Sequence, residues 1–184
     1  MKLIRTIRLD PSDTFVFEHA AEPGEWAVSG AFAFWNADVA KLEGKARSAF
    51  RGAFLGLQSL GWSTLVQIVE ATEEDGAAMI DMLAQRLVER FGAPDLATAR
   101  AAADEEVAFA ASLCDHPADT LIAVHRTFED GAVREAFRTL QPRGGPKPLR
   151  AFSFLEVEGE DETPVDEVDL IAMAGREAAE RERK

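Results

Sequence analysis

The chain contains a single cysteine, Cys114. That excludes an intramolecular disulfide framework and a cysteine-rich zinc site, and it favours a reducing compartment. Cations are also scarce. Lys+Arg total 20 against 33 Asp+Glu, a net charge of -13, which repels nucleic-acid backbones and anionic lipid, so neither nucleic acid nor membrane is an expected partner. Long apolar runs are missing as well. The start, Met1-Lys2-Leu3-Ile4-Arg5, returns to charge within a few residues, so no signal-peptide core is expected and the protein is expected to be cytoplasmic. There is no internal repeat. A phosphate loop is not expected, because Gly52 and Gly56 fall inside a helical pattern, and no cofactor is implied.

At 184 residues the chain suits one core. The clearest architecture lies between Glu43 and Phe91. Leu42, Ala46, Ala49, Phe50, Ala53, Phe54 and Leu57 recur at three and four residues, predicting a helix, with Ser48, Gly52 and Gly56 as a second row of small residues. After Gly61, the run from Trp62 to Val69 predicts a strand covered on both faces. Thr72 followed by Glu73, Glu74 and Asp75 predicts a helix start. Ile80, Leu83, Ala84, Leu87, Val88 and Phe91 form its stripe, and Gly92 with Pro94 ends it.

Before that stretch, Leu3 to Leu9 and Thr14 to Phe17 read as paired short strands around a turn at Asp10-Pro11-Ser12-Asp13. Trp26 to Trp35 alternates bulky and small side chains, predicting a strand whose small face takes the helix carrying Gly52 and Gly56. After it, Asp95 to Cys114 reads as an alanine-rich helix, with Leu96, Val107, Phe109, Ala110, Leu113 and Cys114 buried. Asp130-Gly131 then predicts a type I′ hairpin. Counting outward pairs Phe128 with Val133, Arg126 with Glu135, Val124 with Phe137 and Ile122 with Thr139 on the core face, leaving His125, Arg134 and Arg138 on the other.

The expected organisation is one α+β domain over residues 1–143, a mostly antiparallel sheet with helices packed on one side. A Pro/Gly-rich linker with a further strand near Ala151 to Val157 and an acidic segment follows over 144–163. An acidic C-terminal tail ends in a helix over 164–184, begun by Thr163-Pro164.

Two constellations carry possible chemistry. Cys114 and His116, with His125 further along, have the residue types of a nucleophile or of three metal ligands. However, Cys114 sits four residues from Ala110 on the apolar rhythm, which favours a structural thiol and no metal. His125, Arg134 and Arg138 form a local basic face suited to a carboxylate or phosphate, or alternatively a charged sheet surface that deters aggregation. A third reading lays the acidic segment from Glu156 to Glu167 against that face. Arg126 opposite Glu135 is structural if buried, and the neighbours Glu105 and Glu106 read as a solvated face. Trp26, Trp35 and Trp62 read as core or interface anchors.

Three segments, Gly61-Trp62-Ser63-Thr64-Leu65-Val66, Phe109-Ala110-Ala111-Ser112-Leu113-Cys114-Asp115-His116 and Ala136-Phe137-Arg138-Thr139-Leu140, carry a resemblance over about residues 1 to 140. The chain resembles a family of small alphaproteobacterial proteins of unknown function. The resemblance implies no activity, cofactor or catalytic residue, and agrees with a bacterial cytoplasmic origin. With no catalytic residue identified, the leading expectation is a non-catalytic interaction or accessory protein that self-associates, as a homo-oligomer or with another protein, its tail helix docking on a surface. The alternative is a binder of a small anion, or an enzyme, using Cys114, His116, His125, Arg134 and Arg138.

Overall fold

The computed structural model describes residues 1–141 and 156–157. The predicted linker over 144–163 falls outside the described residues apart from Glu156 and Val157, and the tail helix over 164–184 falls outside them entirely. The fold is α+β. Strand β1 (Lys2–Ile7) is followed by a one-turn helix α1 (Ser12–Val16), β2 (Ala27–Val28), α2 (Gly44–Gly52), β3 (Phe54–Gly56), β4 (Trp62–Ser63) and β5 (Leu65–Glu70). Two long helices follow, α3 (Glu73–Phe91) and α4 (Leu96–Ser112). The hairpin β6 (Leu121–Glu129) and β7 (Ala132–Gln141) and a short β8 (Glu156–Val157) complete the described elements. The main sheet runs β1-β5-β6-β7-β8 and a smaller one β2-β3-β4, with every named pairing antiparallel.

The hairpin has the register read from its turn: Phe128 faces Val133, Arg126 faces Glu135, Val124 faces Phe137 and Ile122 faces Thr139. Asp130 and Gly131 take φ values of 53° and 78°, the pair of positive angles that a type I′ turn needs to follow the strand twist. Helix α3 starts and stops where its caps predict. The Thr72 hydroxyl accepts from the Asp75 amide while the Asp75 carboxylate accepts from the Thr72 amide, and Gly92 closes the helix at φ 75°. Its buried face holds Met79, Leu83, Ala84 and Leu87, while Val88 is exposed. Helix α4 begins at an Asp95 cap and buries Ala99, Ala103, Val107 and Ala110, but Leu96 is 57% and Phe109 38% exposed, contrary to expectation.

Four segments depart from the sequence reading. The run from Trp62 to Val69 is not one strand: it breaks at Thr64, whose amide and hydroxyl bond to Asp13, into β4 of the small sheet and β5 of the main one. Thr14 to Phe17 is not a strand paired with β1. Residues Ser12–Val16 form α1, pinned by the buried carboxylate of Asp13, which accepts from the Thr64 amide and hydroxyl. The partner of β1 is β5, with Leu3 opposite Val69 and Ile4 opposite Ile68. Nor is Trp26 to Trp35 one strand. It stops after Val28 because Gly30 turns into the left-handed region at φ 80°, with Ala31–Phe34 forming a 3-10 turn beyond it. A Cβ at Gly30 would lie 2.6 Å from the Leu55 Cβ, so the close crossing over β3 depends on a missing side chain. Fourth, α2 ends at Gly52 and Phe54 enters β3. Gly52 lies against the Val124 carbonyl of β6 and not against the Trp26 segment.

The apolar face of α3, the buried side of α4, and Ile4, Val66, Ile68, Ile122 and Val124 of the sheet share one cluster. Phe109 of α4 meets Phe137 of β7 edge to face, at 5.7 Å between centroids, and so fixes which face of the hairpin is covered.

Gly30→Ala should lose roughly 2 to 6 kcal/mol, combining a non-glycine residue at positive φ, roughly 1 to 3, with overpacking against Leu55, roughly 1 to 3. At Gly92 a Cβ meets nothing within 4 Å, so Gly92→Ala should show only the first loss. Urea unfolding of both variants checks the difference.

Candidate functional site

Among the described residues the most heavily bonded side chain is Arg126, whose surface is 0% exposed. A guanidinium has five N–H bonds, and burial without partners for all of them is costly. Every one is used. Nε donates to Glu135 Oε1 at 2.6 Å, and Nη1 donates to the carbonyls of Phe50 at 3.0 Å and Ala53 at 2.7 Å. Nη2 donates to the Ser29 carbonyl and, at 3.0 Å, to the Ser29 hydroxyl, which itself donates to Glu135. One side chain thus ties together β6, β7, the end of α2 and the chain just past β2.

These contacts account for the early end of α2. In a continuing helix the Phe50 carbonyl would accept from the Phe54 amide. Arg126 takes that carbonyl, places a cation at the negative end of the helix dipole, and leaves Ala53 extended at φ -134°. Burial pushes the Arg126 pKa down, and the hydrogen bond and charge of Glu135 oppose this. The group remains a cation at neutral pH. With all five donors engaged inside the protein, Arg126 has none to offer a ligand.

Glu106 faces the same cluster from α4. Adjacent helix positions diverge by about 100°, so Glu105 is exposed while Glu106 is half-buried, which corrects the expectation of a solvated pair. Burial, and then the charge of Glu135, raise its pKa from 4.5 to about 7, with Arg126 opposing and Glu105 adding to the rise.

Cys114 and His116 make separate contacts, with no hydrogen bond between them among the described residues. Cys114 is 3% exposed and its thiol donates to the Ala110 carbonyl at 3.4 Å. Burial pushes the thiol up to about 11, so at neutral pH it carries almost no thiolate. His116 is exposed on the loop after α4, where its carbonyl accepts from Lys2. Among the described residues no three of His, Cys, Asp and Glu gather as metal ligands.

On the outer face of the hairpin, His125 and Arg138 border a cavity of about 290 Å³, lined among the described residues by Ala123, Val124 and these two. Arg134 does not line it. Its guanidinium leans toward Glu129 and Asp130, each at 3.7 Å.

Sequence reasoning found the Arg126–Glu135 pair through the hairpin register but missed Ser29 and Glu106. It also missed the buried carboxylate of Glu25, which accepts from the backbone amides of Glu22, Gln58 and Ser59 and holds the turn between β3 and β4. Its only sequence signal is an acid beside a buried tryptophan.

The raised Glu106 pKa sets a pH dependence. The folded state binds a proton more readily than the unfolded chain between about 4.5 and about 7, so stability from this residue is complete below pH 4.5 and is lost as pH rises through about 7. Glu106→Gln, neutral throughout, should therefore raise the thermal midpoint above pH 7 and should match the wild type below pH 4.5. Thermal melts across that range check the convergence.

No curated protein and no solved structure matches the chain. No helix among the described residues is long and apolar enough to cross a membrane. A family model described as a family of unknown function (DUF6505) matches residues 1–153, reaching past the hairpin that carries the Ala136 to Leu140 motif. By that match, the chain belongs to this family.

Proposed function

We propose that the protein is a non-catalytic accessory protein that associates with a second copy of itself through the tip of the β6–β7 hairpin. The observation that carries this reading is the cross-strand pair Phe128 and Val133, 44% and 40% exposed. They lie on the same face of the hairpin that, nearer the sheet, buries Ile122 and Val124. Strand β5 pairs with β6 only over Leu121, Ile122 and Ala123, so the tip runs on as a two-stranded ribbon beyond the last of its β5 partners.

The charge around the tip favours a copy of the same chain over an unrelated partner. Arg134 stands beside Glu129 and Asp130 at 3.7 Å, a long and weak contact on exposed side chains. Across a two-fold axis the guanidinium of one copy can meet the carboxylates of the other, as a self-complementary interface requires. The tip is smaller than the roughly 800 Å² per partner of a stable dimer, so association should depend on protein concentration. A cytoplasmic location suits the lone, buried thiol, and its burial, which keeps it protonated at neutral pH, speaks against a cysteine-based enzyme.

Sedimentation velocity on the full chain over a range of concentrations tests the reading. The wild type should move from monomer toward dimer, and Phe128→Asp should remain monomeric with its thermal midpoint little changed, since the site is exposed. A wild type that stays monomeric throughout, or a Phe128→Asp variant that dimerises equally, would sink the proposal.

A further inference from the structure

The hairpin has a second feature, on the face opposite its apolar tip pair. His125 stands opposite Ala136, and Arg138 stands opposite Ala123. In an antiparallel pair, opposed residues share a face, and diagonal neighbours such as His125 and Arg138 lie roughly 7 to 8 Å apart. Both intervening partners are alanines. The two long polar side chains therefore rise beside two short ones, and the space between is the cavity of about 290 Å³ bordered by Ala123, Val124, His125 and Arg138.

Three properties of this hollow narrow what it can hold. Its volume lies near the lower end of ligand sites, which run from roughly 300 Å³ upward, so a large cofactor does not fit. Its polar groups are a guanidinium, which offers a fork of N–H donors matched to two oxygens, and an imidazole, which can add one more donor. Among the described residues neither side chain is engaged in an ion pair or hydrogen bond, in contrast to Arg126, whose donors are all used, and to Arg134, which leans on two carboxylates. The rest of the protein works against anions, since the net charge is -13 and its long-range field repels them. Occupancy must then come from direct contacts in the hollow.

We propose that the hollow between His125 and Arg138 is a binding site for a small oxyanion, a carboxylate or a phosphate group. Arg138 takes two of its oxygens through the guanidinium fork, and His125 donates to a third or shares one. Ala123, which lines the cavity, matters by being small, because a longer side chain there fills the space. This site is independent of the self-association reading, which rests on other residues at the hairpin tip, Phe128, Val133, Glu129, Asp130 and Arg134.

The test uses the full chain labelled with ¹⁵N, titrated with inorganic phosphate, with succinate and with sodium chloride at matched ionic strength. Amide shifts at residues 123–125 and 136–138 should saturate with phosphate, with succinate or with both, and not with chloride. Saturation by phosphate alone assigns a phosphate ligand, and saturation by succinate alone assigns a carboxylate. Arg138→Gln should weaken binding by about tenfold or more, the loss of one charge-assisted bidentate contact. His125→Gln should weaken it several-fold, and Arg134→Gln should leave it unchanged. All three side chains are exposed, so the remaining amide spectrum should report an intact fold. No saturation with either anion, equal shifts with chloride, or equal loss in Arg134→Gln would overturn the proposal.

Discussion

A single buried guanidinium ties the β6–β7 hairpin to the end of α2 and to the chain just past β2. The β6–β7 hairpin outruns its sheet partner, and a two-stranded ribbon alone in water is marginal. Arg126 supplies what the missing strand does not: from β6 its five donors reach three other segments, β7, the end of α2 and the chain just past β2. Burying such a charge is costly unless geometry and hydrogen bonding are complete. Here the Glu135 carboxylate, the Ser29 hydroxyl and carbonyl, and the freed carbonyls at the end of α2 complete them. The same contacts end the helix, turn Ala53 extended and deliver Phe54 into β3.

How legible this was depended on whether a signal was local. Asp130-Gly131 and the β-rich runs beside it specify a register by counting, so the inner and outer faces of the hairpin followed, and with them the Arg126–Glu135 pair. Thr72, Asp75 and Gly92 fix α3 through contacts within a few residues. The failures share a cause. At Phe50 to Leu57 the apolar spacing suits helix and strand alike, and the choice is made by an arginine 73 to 76 residues away. At Trp26 to Trp35 the alternation was real but Gly30, needed for the crossing over Leu55, broke it. At Thr14 the deciding contact is Asp13 with Thr64, 51 residues distant. The candidate site divided the same way: His125 and Arg138 were placed by register, whereas the burial of Glu106 depends on how α4 lies on the hairpin.

The polar groups sort by burial into two uses. Inside, Asp13, Glu25, Arg126 and Glu135 have partners among backbone and side-chain groups, and their work is to fix chain crossings. Cys114 belongs with them, as a thiol held in the neutral form by its surroundings. Outside, the hairpin presents an apolar tip on one face and a small basic hollow on the other, in a family to which no activity is assigned.

The most direct test of the central claim is amide hydrogen exchange in Arg126→Lys, which keeps the charge but offers three donors in place of five and loses the planar fork. Protection should fall at 124–128 and 133–137 and at the end of α2, while the amides of α3 keep theirs. Unchanged protection in the hairpin, or a uniform loss across the chain including α3, would contradict the account.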